Sequence, residues 1–279
     1  MKLYLKDQEI ALRSPRIMGV LAVQPQESVL IDDLVNKAQE MQDSGADLIE
    51  IGIQSLTCID AKEELNKLIP VVKAVSEKTS LIVAIATIYP EVMEEAVNVG
   101  AQLIIDHNAL RSVGAIETVA KLKVPVCLVF DQDIDFESSS ASDPMSEVSS
   151  FLYERIDACL NAGIDRRKLL IDPSLSPEAP IESKLKMIGR LDTFKSFALP
   201  MTIAIPRSIP SADNFLNDHF PAAVAAAIFS IQSGINIIRT ARVEEMALAI
   251  DTWQAASKSA RPFKLTKAIA SRFKRKLKE

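Results

Sequence analysis

The sequence predicts a (β/α)8 barrel, an α/β fold of the TIM-barrel class, and three observations carry that reading. Short, continuously apolar strands alternate with amphipathic or Ala-rich helices eight times over. Four helix-to-strand junctions share one grammar, a helix ending at glycine and then an apolar strand. The segment after the first strand, Ala22-Val23-Gln24-Pro25, has no glycine-rich phosphate loop, which an open doubly wound sheet would want there.

The elements follow in order. Strand one is expected at Ile17 to Val23, with a helix over Asp32 to Asp43. Strand two follows Ser44-Gly45 and includes Leu48-Ile49-Glu50-Ile51; its helix runs from Glu63 to Ser76. Leu81 to Ala86 is strand three, with Glu91 to Val99 helical behind it. After Gly100 come strand four, ending Leu103-Ile104-Ile105-Asp106, and a helix over Val113 to Leu122. Pro125 introduces strand five, Val126 to Phe130, and Pro200 introduces strand seven, Met201 to Ile205. A proline suits a strand start, since it has no N–H for the ladder. Between them lie a helix over Ser146 to Asn161, strand six from Lys168 to Asp172, and a helix over Glu182 to Phe194. A helix over Pro221 to Gln232, strand eight ending Ile237-Ile238-Arg239, and a helix over Glu244 to Ala256 complete the barrel. The junction glycines at 45, 100, 163 and 234 are spaced about two αβ units apart and fit the left-handed position that ends a helix.

Composition supports one barrel over residues 1–257 and a basic tail over 258–279. Hydrophobic residues make up 48% of the chain and aromatics 5%, the Val/Ile/Leu/Ala bias of layered barrel interiors. The tail holds nine Lys or Arg and one acid, which leaves 23 basic against 36 acidic residues in the barrel. So acidic a body argues against specific nucleic acid binding. Cys58, Cys127 and Cys159 share no metal-ligand spacing and read as free thiols in a reducing compartment. With no apolar signal segment at Met1 to Asp7, and no apolar run long enough to span a bilayer, a cytoplasmic location is expected. In the tail, Leu265, Ile269, Phe273 and Leu277 share a helical face among basic residues. Such a helix could dock on an acidic partner, lie on an anionic membrane, touch nucleic acid nonspecifically, or pack loosely on the acidic barrel. The acids of the loop after strand five, Asp131, Asp133, Asp135 and Glu137, do not make a calcium loop. An EF-hand would need glycine where Phe136 stands and glutamate where Ser142 stands.

Two segments carry a family resemblance: Arg16-Ile17-Met18-Gly19-Val20-Leu21-Ala22-Val23-Gln24-Pro25 and Ile238-Arg239-Thr240-Ala241-Arg242-Val243. The chain resembles dihydropteroate synthases, the folate-pathway transferases that join p-aminobenzoate to a pterin pyrophosphate, from about Met1 to about Ala256. The resemblance implies a pterin-binding barrel, and it implies a homodimer through the late helices. It also shows what has changed. The family's first strand ends in an asparagine that serves the metal and pyrophosphate; Ala22 stands there, so no magnesium site and no cofactor are expected. The family loop Gly-Gly-Glu-Ser-Thr-Arg-Pro-Gly reads Gly52-Ile53-Gln54-Ser55-Leu56-Thr57-Cys58-Ile59. The strand-three aspartate is replaced in Ala84-Ile85-Ala86-Thr87, the strand-four asparagine by Ile105, and the strand-five Met-His pair by Val129-Phe130. The lysine after the strand-seven arginine is Ser208, and the strand-eight histidine is lost from Arg239-Thr240-Ala241-Arg242.

Asp172, Arg207 and Arg239 match the family, with Asp106 and Gln132 as lesser matches and Arg242 as an addition. By resemblance Asp172 bonds the pterin and Arg239 the phosphate. Arg239 and Arg242 could clamp an anion. Alternatively Arg239 forms a salt bridge to Asp172 or Asp106. His107 is expected to be packed or solvated. Each lost polar contact is worth about 1–3 kcal/mol, so the five or more replacements predict a loss of many orders of magnitude in rate. The expectation is a synthase-like barrel without synthase activity that binds a small anionic or pterin-like ligand. The alternatives are a divergent active synthase or other pyrophosphate-substrate transferase, and a surface- or partner-binding module acting through the tail.

Overall fold

The computed structural model describes residues 1–6, 8–24, 30–53, 59–132, 143–176, 179–205 and 220–259. Two short strands, β1 (Lys2–Tyr4) and β2 (Glu9–Ala11), pair antiparallel. Eight parallel barrel strands follow: β3 (Arg16–Val23), β4 (Leu48–Ile53), β5 (Ile82–Ala86), β6 (Leu103–Asp106), β7 (Val126–Val129), β8 (Leu169–Asp172), β9 (Thr202–Ala204) and β10 (Ile237–Thr240). Each lies beside its sequence neighbours, and β10 returns to pair with β3. The remaining seam, β8 to β9, is joined by one parallel bridge between Ile171 and Met201, with Ile171 N–H donating to Pro200 O at 3.0 Å. The barrel expected from the sequence is therefore present.

Helices α1 (Ile31–Asp43), α2 (Ala61–Lys78), α3 (Pro90–Asn98), α4 (Ala115–Leu122), α5 (Pro144–Asn161), α6 (Ile181–Ile188), α7 (Phe220–Gln232) and α8 (Val243–Ser259) lie between and after the strands. The expected sixth helix is divided. Gly189 caps α6, and a 3-10 segment, Leu191–Phe197, completes the connection. At Gly100, φ is +126° and a Cβ would lie 2.5 Å from the Ser76 hydroxyl, so the α3-to-β6 junction admits only glycine. The next residue closes the turn, with Ala101 N–H donating to Ala96 O at 2.8 Å.

The strands sort their side chains into two apolar clusters. Ile17, Leu21, Ile49, Ile51, Val83, Ile85 and Ile104 belong to the larger one, between strands and helices. Met18, Leu48, Ala84, Leu103, Ile105, Cys127, Leu170 and Ile237 form the barrel interior. Leu3, Leu5 and Leu12 of the N-terminal hairpin join that inner cluster. The hairpin is an element that sequence reading missed. Its strands are three residues each, too short for a period-2 pattern to register.

One polar side chain is packed at a cost. Glu64, in the first turn of α2, is 7% exposed, and its Oε1 has no partner among the described residues. Burial pushes its pKa up to about 7; a hydrogen bond from Thr87 opposes the rise and the nearby Glu91 adds to it. Between the ordinary glutamate value and about 7, the folded chain holds a proton that the unfolded chain has released. The contribution of Glu64 to stability therefore declines as pH rises through that window and is flat above it. Glu64→Gln should remove the dependence and add on the order of 2–3 kcal/mol at pH 8 relative to native. Urea unfolding of both chains from pH 4.5 to 8 checks this: a difference that does not grow with pH would overturn it.

Candidate ligand site at the barrel mouth

Alternation along each strand decides which side chains enter the barrel. Leu48, Leu170 and Ile237 face inward, so Glu50, Asp172 and Arg239, two positions on, face inward one layer nearer the C-terminal rim. All three are buried. Arg239 Nε donates to Glu50 Oε2 at 2.7 Å and Nη2 to Oε1 at 2.9 Å, a bidentate pair, while Nη1 donates to Asp172 Oδ2 at 2.7 Å. Asp172 Oδ1 accepts from the Ser174 N–H at 2.8 Å and from the Ser174 hydroxyl. Burial alone would lower the arginine pKa; the two carboxylates outweigh it and hold the guanidinium above its usual value. Of the expected alternatives for Arg239, the structure forms the salt bridge to Asp172 and supplies Glu50 as a second partner.

Asp106 does not join them. Leu103 and Ile105 point inward, so Asp106 points to the helices. Its oxygens accept from Asn108 N–H at 2.6 Å and Leu110 N–H at 3.0 Å. That turn holds Ala109 and Leu110 at φ +49° and +58°, and Arg155 of α5 donates to both of their carbonyls. Burial pushes the Asp106 pKa up to about 6 against those two N–H bonds. The expected ligand contact is thus a turn-organising carboxylate. Arg242 does not converge with Arg239 either: its guanidinium bonds Glu245 at 2.7 Å and lies 4.0 Å over the Phe220 ring. The anion clamp of two arginines is not formed.

His107 and Asp131 extend the inward-facing series of β6 and β7. His107 Nδ1 lies 2.8 Å from Asp131 Oδ2, and His107 Nε2 lies 3.4 Å from Arg239 Nη2. The histidine is half-buried, as a packed or solvated residue would be, and is also held by a carboxylate. Asp131 has φ +38°, rare without glycine, and its N–H donates to Ser174 O at 3.1 Å. Both line a cavity of about 230 Å³ between the ends of β7, β8 and β9 and helix α6. Val129, Leu175, Met187, Ile188 and Ile203 give it apolar walls; Ser174, Lys184 and Arg239 also border it. Motif matching missed Glu50 as a site residue and the His107–Asp131 pair. Strand parity was the signal that could have found them.

Ala22, at the end of β3, contributes a methyl group and cannot bind magnesium. Among the described residues no group of three or more His, Cys, Asp or Glu could hold a metal ion. Cys127 and Cys159 are buried free thiols, each pushed up in pKa by burial. Arg207, Cys58, the loop acids after Gln132 and residues 260–279 of the tail lie outside the described residues. No described helix is long and apolar enough to cross a membrane.

Removing the shared cation should leave two buried carboxylates unpaired. Arg239→Ala should lower unfolding free energy by about 3–5 kcal/mol, and by the same amount with and without added phosphate. Chemical denaturation in both buffers tests this; a loss seen only with phosphate present would restore the anion site.

Residues 26–241 match the family model for pterin binding enzymes. The dihydropteroate synthase of Escherichia coli (strain K12) is 30% identical over 273 residues, covering 91% of this chain and 96% of that protein. A Xanthomonas albilineans dihydropteroate synthase solved with 4-aminobenzoic acid superimposes with a TM-score of 0.82 at 30% identity, covering 94% of this chain and 99% of that one. The 7,8-dihydropteroate synthase of Vibrio fischeri ES114 gives 0.84 at 29% identity, covering 94% and 100%. With the barrel, the inward-facing strand ends and these matches in agreement, the chain belongs to the pterin binding enzyme family, among the dihydropteroate synthases and their relatives.

Proposed function

We propose that this chain is a dihydropteroate-synthase-like barrel without synthase activity, which keeps a pocket for a pterin-like ligand. The observation that carries the reading is the Glu50–Arg239–Asp172 cluster. The arginine that the resemblance assigns to phosphate and the aspartate it assigns to the pterin are bonded to each other, and Glu50 takes two further N–H groups of the guanidinium. An incoming pyrophosphate would have to share the guanidinium with two buried carboxylates and meet their charge. Strand ends that the family uses for polar contacts carry Ala22, Ala86, Val129 and Phe130. The donor set at Ala22 does not fit magnesium. What remains at the mouth is an apolar cavity with polar groups on its border, the composition of a small-molecule site.

Purified protein supplied with pterin pyrophosphate, p-aminobenzoate and magnesium should form no measurable dihydropteroate. It should also fail to rescue cells that lack their own synthase. Turnover on the order of 1 per second would overturn this and establish the second reading, a divergent transferase. That second reading is favoured by the 30% identity to a protein named as a synthase.

A homodimer through α7 is part of the same proposal. Ala222, Ala225 and Phe229 are exposed along one face of that helix without a charge between them, and Phe229 is 47% exposed. Leu248 of α8 is 70% exposed. Such faces are covered in assemblies more often than left to water. Sedimentation equilibrium should give a dimer for the native chain and a monomer for Phe229→Glu; a native monomer would remove the dimer from the proposal.

A further inference from the structure

The hydrogen-bonding capacity of the groups around His107 dictates what its free nitrogen can accept. The Asp131 carboxylate 2.8 Å from Nδ1 can only accept, so Nδ1 carries the hydrogen. The guanidinium facing Nε2 can only donate, so Nε2 is the acceptor. At 3.4 Å that Arg239 contact is long for an N–H bond. Nε2 therefore sits at the cavity border as an acceptor with a weak partner. Its ring is fixed by Asp131, which is itself held at an unusual φ of +38°. A backbone conformation of that kind is kept where surrounding structure determines it, and such positions gather at ligand sites.

Charge narrows the ligand further. Among the described residues the cavity border carries one carboxylate, Asp131, and two cations, Lys184 and Arg239, and Arg239 is already matched by Glu50 and Asp172 behind it. With Arg239 so matched, the acceptor at His107 Nε2 favours an uncharged group with N–H donors. The walls of Val129, Ile188 and Ile203 ask for a flat apolar body, and about 230 Å³ admits one of one or two fused rings.

We propose that the His107–Asp131 pair is the ligand-reading group of this cavity and takes the N–H edge of a flat amino-heterocycle, with Nε2 accepting from the ligand. This rests on the reading that the cavity holds a pterin-like ligand. It adds a recognition pair that no strand-end motif of the chain supplied.

Isothermal titration calorimetry with pterin, guanine and inorganic pyrophosphate tests it on the full chain. Pterin or guanine should bind, and pyrophosphate should not compete. His107→Phe keeps a flat apolar ring, removes the acceptor and should weaken heterocycle binding about tenfold or more. His107→Gln, which returns an acceptor, should recover part of that loss. Asp131→Asn should also weaken binding; asparagine tolerates the left-handed backbone, so this variant carries the test if the phenylalanine chain fails to fold. Binding within about twofold of native in both His107→Phe and Asp131→Asn, beyond calorimetric scatter and far below one hydrogen bond, would sink the pair while leaving the pocket reading intact. A native chain that binds neither heterocycle, or binds pyrophosphate instead, would sink both.

Discussion

A guanidinium at the centre of a barrel is the constraint on which the site depends. Arg239 enters a layer whose neighbours below are leucine, isoleucine and methionine. Removing its charge from water without compensation would cost several kcal/mol. Glu50 and Asp172 provide that compensation with three bonds of 2.7–2.9 Å. The three residues come from β4, β8 and β10, so the cluster ties together strands from distant parts of the barrel. The seam between β8 and β9 holds one bridge, and Asp172 lies at its edge, bonded across to β10. The same contact that balances charge thus joins strands where the backbone ladder is thinnest.

The cluster also decides what its surroundings can do. With Arg239 matched by Glu50 and Asp172, Asp131 pairs with His107, its Oδ2 2.8 Å from Nδ1. Orientation of the imidazole follows from that pairing, since its other nitrogen then faces Arg239. A ligand arriving from solvent meets the histidine and the apolar walls before the buried charges. The arginine that the family resemblance assigns to phosphate thus bonds two buried carboxylates, and the proposed recognition pair lies on β6 and β7 beside it.

Much of this was legible in the sequence. Continuous apolar runs placed the eight strands, because parallel strands covered on both faces have no polar side to show. Junction glycines located the helix ends. Inward parity was legible too: Glu50, Asp172 and Arg239 each stand two places beyond an inner-layer residue, whereas Asp106 stands one place off. Motif matching kept Asp106 as a lesser match beside Asp172, since both are aspartates at strand ends; strand phase separates them. Other features had no local signature. Contact between His107 and Asp131 requires β6 beside β7 at a particular register, a property of the closed barrel. The division of the sixth helix at Gly189 and the hairpin under the barrel depend on packing that a short window does not contain.

Mutual dependence sets the three buried charges apart from the strand ends that differ from the family. A polar residue at the mouth that bonds only a substrate can become alanine or valine without leaving a protein group unpaired, as Ala22 and Ala86 illustrate. Glu50, Arg239 and Asp172 have no such freedom. Loss of the arginine strands two carboxylates, and loss of a carboxylate strands half of a guanidinium, each at a cost large against the total stability of a domain. The three can change together or not at all. Their presence is therefore evidence about electrostatic balance first and about the ancestral ligand second. A motif match at Asp172 or Arg239 does not by itself argue for catalysis. Residues that the frame does not require are the better guide to a ligand, and at this mouth the proposed ones are His107 and Asp131.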